Sequence, residues 1–251
     1  MSGAFVTGAG SGIGAACAAK LASLGYGVVC ADSDGPAARA TASSIPLATY
    51  AEMDVTSEAD TERAVLRAQS EFGNLRVAVA CAGIHRQGTV AEMSRQLFDR
   101  VMAVNTTGSF VTARVAARAM IENGGGGSIT LIGSMNSVAV SMAGQVAYAA
   151  SKGAVLMLGK ALAVDWGPLG IRVNVVLPGV TDTPLSRPSL TDPSSRSSAL
   201  SNVPLRRPAR PEDIADVIGF LASPAAAYLT GAAIPVDGGQ LAVTSSYPWV
   251  H

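Results

Sequence analysis

The fold is decided by the stretch Thr7-Gly8-Ala9-Gly10-Ser11-Gly12-Ile13-Gly14, which directly follows the apolar run Ala4-Phe5-Val6. The apolar run is typical of a buried strand, and the alanine-rich segment after the glycines has helical spacing. Glycine lacks the Cβ atom that would obstruct a tight bend of the backbone. The sequence therefore predicts a strand that turns directly into a helix.

The same alternation of short β-branched runs and longer alanine-rich segments continues along the chain. Most strand candidates are apolar throughout, as strands covered on both faces are. Repeated strand-helix-strand units predict an α/β fold, a Rossmann-like doubly wound parallel sheet of about seven strands with helices on both faces. The predicted strands are residues 3–7, 27–31, 48–53, 76–80, 128–132, 171–177 and 233–236, and the predicted helices are residues 12–24, 35–44, 57–72, 92–105, 106–122, 146–166 and 211–222.

Residues 1–251 are predicted to form a single domain that carries both a cofactor and a substrate site, since the sequence contains no internal repeat and no interdomain linker. The longest interruption of the pattern is residues 185–204, which are rich in serine and proline. A loop of that length in a compact domain is often a lid over a substrate. We therefore expect residues 185–204 to form a mobile substrate loop.

The charge balance excludes several classes of partner. Eighteen basic residues balance eighteen acidic ones, so there is no net field to attract nucleic acid or an anionic membrane. No uncharged apolar stretch approaches the ~18 residues of a spanning helix, and a strand-like run at residues 4–6 leaves no room for a signal peptide. A soluble cytoplasmic protein is predicted.

The cysteines and histidines do not have the spacing of metal ligands. Cys17, Cys30 and Cys81 are far apart in the sequence, and the only histidines are His85 and His251. A structural zinc site needs four closely placed ligands of these types. We therefore predict no metal site and a reducing compartment.

The glycine-rich turn is suited to bind a dinucleotide. Its backbone can approach a pyrophosphate closely, and the following helix offers unpaired N–H groups. About 20 residues on, the second predicted strand ends in Cys30-Ala31-Asp32, where a carboxylate can accept a hydrogen bond from a ribose hydroxyl. Asp32 would also repel a 2′-phosphate, and neither Ser11 nor Ser33 supplies a cation to offset that repulsion. NAD is therefore favoured over NADP.

Tyr148 and Lys152 are four positions apart in a predicted helix, which places a phenol beside an ammonium group. Many surface helices contain this spacing by chance. An adjacent cation favours the phenolate, however, and would lower the pKa of the tyrosine toward the working range of an acid or base. The spacing thus indicates a proton-transfer pair that needs support from the rest of the chain.

Taken together, these motifs resemble the short-chain dehydrogenase/reductase family, in its short single-domain form, over nearly the whole chain. The resemblance implies a catalytic set of Asn105, Ser134, Tyr148 and Lys152. It implies cofactor contacts from Gly8, Ser11, Gly12, Ile13, Gly14, Asp32, Asp54, Val55, Ala82, Gly83, Tyr148, Lys152, Pro178, Gly179, Val180, Thr181 and Thr183. Residues that flank this set, and are expected to line the substrate pocket, are His85, Asn136, Gln145 and Leu185.

Two positions depart from the family pattern. Ala80-Cys81-Ala82-Gly83 stands where the family usually has Asn-Asn-Ala-Gly, which removes a polar anchor and puts the rigidity of this loop in question. Ser134 precedes Tyr148 by fourteen positions, one more than expected, so Ser137 is a competing candidate for the catalytic serine. We favour Ser134 because it follows the predicted strand directly, where a parallel strand presents its end to the site.

The resemblance implies an NAD(H)-dependent oxidoreductase that interconverts a secondary alcohol and a ketone, with Tyr148 as general acid/base. Ser134 would stabilise charge on the reacting oxygen, and Lys152 would lower the pKa of Tyr148 and hold the nicotinamide ribose. Asn105 would support a water that links Lys152 to solvent. The alternatives are a polyol or sugar dehydrogenase of the same family and a non-catalytic cofactor-binding protein. A homotetramer is implied as well, with the apolar tail at residues 247–250 packing on a neighbouring subunit.

Overall fold

The computed structural model describes residues 2–140 and 142–243, and seven parallel strands lie at its centre. The strands are β1 (Ser2–Thr7), β2 (Tyr26–Asp32), β3 (Ala48–Glu52), β4 (Leu75–Ala80), β5 (Gly127–Ile132), β6 (Ile171–Pro178) and β7 (Ala233–Val236). Their order across the sheet is β3-β2-β1-β4-β5-β6-β7. The chain therefore reverses its winding direction between β1 and β4, and such a reversal opens a crevice at the carboxyl ends of the strands.

Helices cover both faces of the sheet. They are α1 (Gly12–Ser23), α2 (Gly35–Ser43), α3 (Glu58–Phe72), α4 (Arg95–Met102), α5 (Gly108–Glu122), α6 (Val146–Trp166), α7 (Arg187–Thr191), α8 (Pro193–Leu200) and α9 (Pro211–Ala222). Buried side chains of α3, α5 and α6 belong to one core cluster, and those of α1, α2 and α9 belong to a second. The predicted doubly wound parallel sheet is confirmed.

The first strand illustrates why the sheet needs cover on both sides. Phe5 of β1 belongs to the first core cluster, whereas its neighbours Ala4 and Val6 belong to the second. Successive side chains of a strand point to opposite faces, so an apolar run is stable only between two layers of helix. Burying a side chain as large as Phe5 contributes about 1.5–3 kcal/mol.

The structure differs from the prediction at the helix predicted for residues 92–105. Helix α4 begins at Arg95, where the Ser94 hydroxyl accepts a hydrogen bond from the Leu97 backbone N–H at 3.2 Å. The chain then passes through a π-helical turn, Ala103–Thr107, and continues directly into α5. Residues 92–105 and 106–122 are thus joined by one wide turn, a form that frequently marks functional sites in helices.

Residues 185–204, which the sequence predicted to be a loop, contain regular secondary structure. They contain the short helices α7 and α8, and the Asp192 carboxylate accepts a hydrogen bond from the Ser195 backbone N–H at 2.8 Å to cap α8. Pro193 occupies the first position of α8, where its missing N–H costs nothing. Asp192 and Pro193 therefore start a helix within this serine- and proline-rich segment. The mobility of this segment stays a prediction.

The segment Val146–Leu169 is long and apolar enough to cross a membrane by length and composition, but it contains charged residues and so is not the uncharged stretch considered above. Its Val155, Leu156 and Leu162 are buried in the first core cluster. The core helix of a soluble protein passes the same test. Its two lysines, Lys152 and Lys160, would be costly in a bilayer.

Candidate active site

The glycine-rich turn joins β1 to α1 in a conformation that side chains would obstruct. Gly8 and Gly12 have φ angles of +67° and +53°, a region that residues with a Cβ rarely adopt. A Cβ on Gly14 would lie 2.0 Å from the carbonyl oxygen of Gly8, and one on Gly8 would lie 2.8 Å from the Ala82 backbone. The Ser11 side chain does not cap α1, so backbone N–H groups of its first turn are free of a side-chain partner. This turn is a bare backbone surface that can receive an anion.

Asp32 at the end of β2 holds this turn in place. Its carboxylate accepts hydrogen bonds from the backbone N–H groups of Gly10 at 2.9 Å and Asp34 at 3.0 Å. A carboxylate oxygen has two acceptor positions, so each oxygen keeps capacity for a ligand hydroxyl. Ser33 next to it is exposed and uncharged. The structure therefore places the acidic group at the mouth of the turn, where the sequence predicted it.

The Ala80-Cys81-Ala82-Gly83 segment has an anchor other than the missing asparagine. The Thr7 hydroxyl accepts hydrogen bonds from the backbone N–H groups of Cys81 at 3.1 Å and Ala82 at 3.2 Å. Burial raises the pKa of the Cys81 thiol to about 12, so the thiol stays protonated and uncharged at neutral pH. Thr7 thus gives this loop a fixed attachment to β1.

The Asp54-Val55 pair follows β3 and also lines the crevice. The Asp54 carboxylate accepts hydrogen bonds from the backbone N–H of Thr56 at 2.9 Å and from its hydroxyl at 2.8 Å. The backbone hydrogen bond is the main cause that lowers the pKa of Asp54. Arg100 of α4 is 3.7 Å away. Val55 is buried against Gly108, where a Cβ would lie 2.7 Å from the valine side chain.

Tyr148 and Lys152 meet Ser134 where α6 crosses the end of β5. The Lys152 ammonium donates a hydrogen bond to the Ile132 carbonyl at 2.7 Å and lies 5.7 Å from the centroid of the Tyr148 ring. The Ser134 side chain forms a hydrogen bond with the Tyr148 phenol. Because one turn of helix separates the tyrosine from the lysine, both face the same strand end. The predicted convergence of these three side chains is present in the structure.

The pKa of Tyr148 is opposite in direction to the sequence expectation. Burial raises it above its ordinary value, and the hydrogen bond from Ser134 offsets only part of that increase. Burial also lowers the pKa of Lys152 to about 8. Both shifts have the same physical cause, since a poorly solvated site disfavours the phenolate and the ammonium alike. The expected lowering of the Tyr148 pKa by the neighbouring cation is not seen, and burial decides the direction of the shift.

Asn105 lies in the π-helical turn and is buried next to the cleft without lining it. Its side-chain oxygen accepts a hydrogen bond from the Ile84 backbone N–H at 2.8 Å, and its amide nitrogen donates to the Ile84 carbonyl at 3.0 Å and to the Ser151 hydroxyl at 2.9 Å. A Cβ on Gly83 would lie 3.3 Å from the Asn105 side-chain oxygen and 3.5 Å from the Lys152 nitrogen. Asn105 therefore ties the loop after β4 to the helix that carries the lysine. A role in holding water there stays a prediction.

Ser134 and Ser137 have different partners. The Ser137 hydroxyl donates to the Lys152 carbonyl at 2.8 Å and accepts from the Ser134 backbone N–H at 3.2 Å. The Ser134 hydroxyl accepts from the Asn136 backbone N–H at 3.1 Å and retains its contact with Tyr148. Ser137 thus connects the loop after β5 to α6 by a hydrogen bond, whereas Ser134 faces the phenol of Tyr148. Ser141, the third serine of this loop, lies outside the described residues.

The segment after β6 closes the crevice from the opposite side. A Cβ on Gly179 would lie 2.7 Å from the Asp237 backbone, which leaves room only for glycine. Thr181 and Thr183 are buried, and the Thr183 side chain would be 3.1 Å from a Cβ on Gly12. The segment from Pro178 to Thr183 therefore contacts the glycine turn directly, as a clamp over one ligand would.

Two of the predicted substrate-lining residues bond to each other. The His85 Nε2 atom lies 2.8 Å from the Gln145 Oε1 atom. The imidazole also forms a T-shaped contact with the Tyr148 ring, with 4.9 Å between centroids and 85° between planes. Gln145 is buried, whereas Leu185 is 49% exposed. His85 is thus fixed directly beside the phenol.

These residues surround one cleft of about 750 Å³. Every predicted site residue except Asn105 lines it, including Gly8, Ser11, Gly12, Ile13, Gly14, Asp32, Asp54, Val55, Ala82, Gly83, His85, Ser134, Asn136, Gln145, Tyr148, Lys152, Pro178, Gly179, Val180, Thr181, Thr183 and Leu185. The lining residues that sequence reasoning missed include Gln87, Arg100, Met142, Ser189, Leu190, Ser198, Asn202 and Gln240. These lie in loops or on α4, α7 and α8, where no motif marks them.

The described ranges, residues 2–140 and 142–243, contain no group of three or more His, Cys, Asp or Glu side chains that could hold a metal ion. The side chains that line the cleft around Tyr148 carry hydroxyl, phenol, ammonium, imidazole and amide groups. Phenol, ammonium and imidazole groups are of the kinds that can transfer a proton or stabilise a charge.

Comparison with known proteins agrees with this geometry. A sequence family described as enoyl-(acyl carrier protein) reductase matches residues 8–240. The (3R)-3-hydroxyacyl-CoA dehydrogenase of Mus musculus is 39% identical over 248 residues, covering 94% of this chain and 95% of that protein. The L-rhamnose 1-dehydrogenase (NAD(P)(+)) of Azotobacter vinelandii is 38% identical over 243 residues, covering 94% of each chain. The crystal structure of a short-chain type dehydrogenase/reductase from Mycobacterium marinum superposes with a TM-score of 0.90 at 36% identity, covering 95% of each chain. The chain therefore belongs to the short-chain dehydrogenase/reductase family.

Proposed function

We propose that the protein is an NAD(H)-dependent oxidoreductase that interconverts a secondary alcohol and a ketone. The observation that carries the proposal is the meeting of Ser134, Tyr148 and Lys152 at one end of a cleft whose other end is the bare glycine turn. The names of the Mus musculus and Azotobacter vinelandii relatives both describe dehydrogenases that act on a hydroxyl group. The same reaction type is therefore the simplest use of this cleft.

The residues at the glycine turn fit a dinucleotide. The free N–H groups at the start of α1 suit a pyrophosphate, and the crowded positions of Gly8 and Gly14 let the backbone approach it. Asp32 suits a ribose hydroxyl and repels a 2′-phosphate, which supports NAD over NADP. When bound, the nicotinamide supplies the hydride acceptor or donor. The remaining contacts would come from Asp54, Val55, Ala82, Gly83 and the segment from Pro178 to Thr183.

Side chains of the protein transfer the proton that accompanies the hydride. Tyr148 gives its phenolic proton to the ketone oxygen during reduction and takes the alcohol proton during oxidation. Ser134 donates a hydrogen bond to the same oxygen while negative charge develops on it. Lys152 stabilises the phenolate electrostatically when Tyr148 has lost its proton. Asn105 positions Lys152 by fixing the Gly83 loop and Ser151 around it.

A polyol or sugar is the second candidate substrate. The cleft wall formed by α8 and the residues that follow it presents Ser198 and Asn202, and one relative is named as a sugar dehydrogenase. A non-catalytic cofactor-binding role is a third hypothesis, but it predicts a broken catalytic set, whereas Ser134, Tyr148 and Lys152 are together. If a broad panel of alcohols with NAD and ketones with NADH gave no turnover, the non-catalytic role would be favoured.

The decisive variant is Tyr148→Phe, which removes the phenolic oxygen and keeps the ring. We expect turnover to fall by at least about a hundredfold, the lower end of a general acid/base contribution. Binding of NADH, measured by fluorescence titration, should change little, because the glycine turn is intact. Turnover retained in this variant would remove Tyr148 from the proposed mechanism.

We also propose a homotetramer in the cytoplasm. Met157 and Val164 are 61% and 77% exposed, and because they are seven residues apart on α6 they share a helix face that a neighbouring subunit could cover. The predicted packing of residues 247–250 on a neighbouring subunit falls outside the described residues. Sedimentation velocity at micromolar concentration would give a tetramer, and a monomer alone would contradict the proposal.

A further inference from the structure

His85 occupies a fixed place in the cleft beside the proposed proton donor. The backbone of its neighbour Ile84 is held on both sides by the Asn105 side chain, through hydrogen bonds of 2.8 and 3.0 Å. The imidazole and the Tyr148 ring are nearly perpendicular, with 4.9 Å between their centroids. The ring is therefore held both through its backbone and through an aromatic contact, and it lines the same cleft as the phenol.

Gln145 determines which nitrogen of His85 carries a proton. Gln145 is 5% exposed and directly precedes α6, the helix that carries Tyr148. Its Oε1 atom is 2.8 Å from His85 Nε2. An amide oxygen can only accept a hydrogen bond, so Nε2 must donate, and Nδ1 of the neutral ring is then an acceptor.

That acceptor has no partner from the protein. Within the described residues no hydrogen bond to Nδ1 of His85 is found, and the ring's hydrogen-bond partner is Gln145, through Nε2. A polar atom placed in a cleft without a protein partner gains most from a ligand that supplies the matching group. The matching group for Nδ1 is an O–H or N–H of the substrate.

We propose that His85, oriented by Gln145, is a specificity-determining residue that accepts a hydrogen bond from a second hydroxyl of the substrate. That hydroxyl is on the carbon next to the one that reacts, because His85 and Tyr148 are in contact and one small molecule must reach both. The substrate class is therefore a secondary alcohol with a vicinal hydroxyl. The proposal rests on the proposed function and narrows it.

The test compares two substrates that differ by a single hydroxyl, 2,3-butanediol and 2-butanol, each oxidised with NAD. A site built to bond a hydroxyl discriminates strongly against the analogue that lacks it. We expect the unmodified protein to favour the diol by about tenfold or more in kcat/KM. The variant His85→Phe keeps an aromatic ring against Tyr148 and loses the nitrogen, so it should turn over both substrates with similar kcat/KM.

Two further variants separate specificity from general damage. Gln145→Met removes the acceptor that fixes His85 at similar size, and it should lower the preference for the diol only in part. His85→Asn offers a side-chain acceptor again and should restore part of the preference that His85→Phe loses. Gln96→Leu is the matched control, since Gln96 is exposed on α4 and outside the cleft lining. NADH titration of each variant verifies that the cofactor end is intact.

The outcomes are distinct. No preference for the diol in the unmodified protein, or a preference that His85→Phe retains, would overturn the proposal and leave the proposed function standing. An equal loss on both substrates in His85→Phe and His85→Asn, with NADH binding intact, would assign the residue to positioning Tyr148 and also overturn it. No turnover of any alcohol by the unmodified protein would defeat the proposed function and this proposal together.

Discussion

The two ends of the cleft are built in different ways. The cofactor end consists of backbone from β1, the glycine turn and the start of α1, with Asp32 from β2 as its main polar side chain. The substrate end consists of side chains from loops and from the short helices α7 and α8, such as Leu190 and Ser198. A binding surface made of backbone requires glycines, which can be recognised in the sequence. A binding surface made of ordinary side chains on loops has no comparable sequence motif.

This difference has consequences for tolerance to mutation. At the cofactor end, a single added methyl group meets backbone that cannot move aside, as at Gly14. At the substrate end, half-exposed side chains such as Leu185 can shift. Substitutions at the first end should therefore cause large losses, and those at the second should redistribute specificity. Four predictions test this contrast.

The largest effect is expected from Gly14→Ala. Its Cβ would lie 2.0 Å from the Gly8 carbonyl oxygen, so α1 must move away from the turn. Overpacking of this kind costs about 1–3 kcal/mol of stability or more. We expect a lower melting temperature. Because the displaced start of α1 no longer presents its N–H groups to the pyrophosphate, we also expect at least about a tenfold loss of NADH affinity, which corresponds to about 1.4 kcal/mol.

Gly167→Ala is the matched control for that substitution. Gly167 has a φ of −53°, and an added Cβ would find open space. It should leave both melting temperature and NADH affinity nearly unchanged. Equal behaviour of the two alanine variants would contradict the idea that the cofactor end is a rigid backbone surface.

The sequence could predict the cofactor end and the tyrosine-lysine pair because their requirements are local. The turn after β1, the acidic end of β2 and the tyrosine-lysine spacing on α6 all follow from residue type and position. The π-helical turn at Asn105 could not be predicted, because periodicity alone does not distinguish a wide turn from a break between two helices. The anchor from Thr7 to Cys81 joins residues far apart in sequence, and only the paired strands β1 and β4 bring them together.

Residues 185–204 are a second region whose structure the sequence did not predict. Their serine and proline content indicates a loop, yet Asp192 and Pro193 together begin α8. The pKa of Tyr148 is a further example. The sequence contains the neighbouring lysine but not the depth of burial, and burial decides the direction of the shift.

The second prediction concerns the pH dependence of turnover, which tests Tyr148 and Lys152, the residues between the cofactor and the substrate. Because burial lowers the pKa of Lys152 to about 8, its ammonium is present below that pH and lost above it. The raised pKa of Tyr148 keeps the phenol protonated at neutral pH. Ketone reduction should therefore be constant below about pH 8 and fall above it by up to about tenfold per pH unit. Alcohol oxidation should instead rise with pH up to about pH 8 and then level off, because the phenolate gained above that pH lacks the Lys152 ammonium that stabilises it.

Initial rates in both directions, measured from about pH 6 to about pH 10 with NADH affinity followed in parallel, test these signs. Reduction that accelerates through this range would show that the protonated forms are not the ones required. A parallel loss of NADH affinity would place the effect at the cofactor end.

The third prediction is Asp32→Asn, which removes the charge and keeps an oxygen that can accept from the backbone. The repulsion of a 2′-phosphate should be relieved, and the ratio of NADPH to NADH affinity should rise by about tenfold, as expected for the loss of one repulsive element. Asp34→Asn is the control, because Asp34 caps α2 and is not part of the cleft lining. Tighter binding of NADPH than NADH by the unmodified protein would contradict the role given to Asp32.

The smallest effect is expected at the substrate end, from Leu185→Ala. Leu185 lines the cleft but is 49% exposed, so truncation removes part of an apolar contact and leaves no sealed cavity. A change of about two- to fivefold in KM for the alcohol follows, with kcat and NADH affinity nearly constant, since a few methylene groups contribute little discrimination. Leu66→Ala, at a similarly exposed leucine on α3 outside the cleft, should change none of these. A loss of NADH affinity as large as that of Gly14→Ala would mean that residues 185–204 hold the cofactor as firmly as the glycine turn does, and the two ends would then not differ in kind.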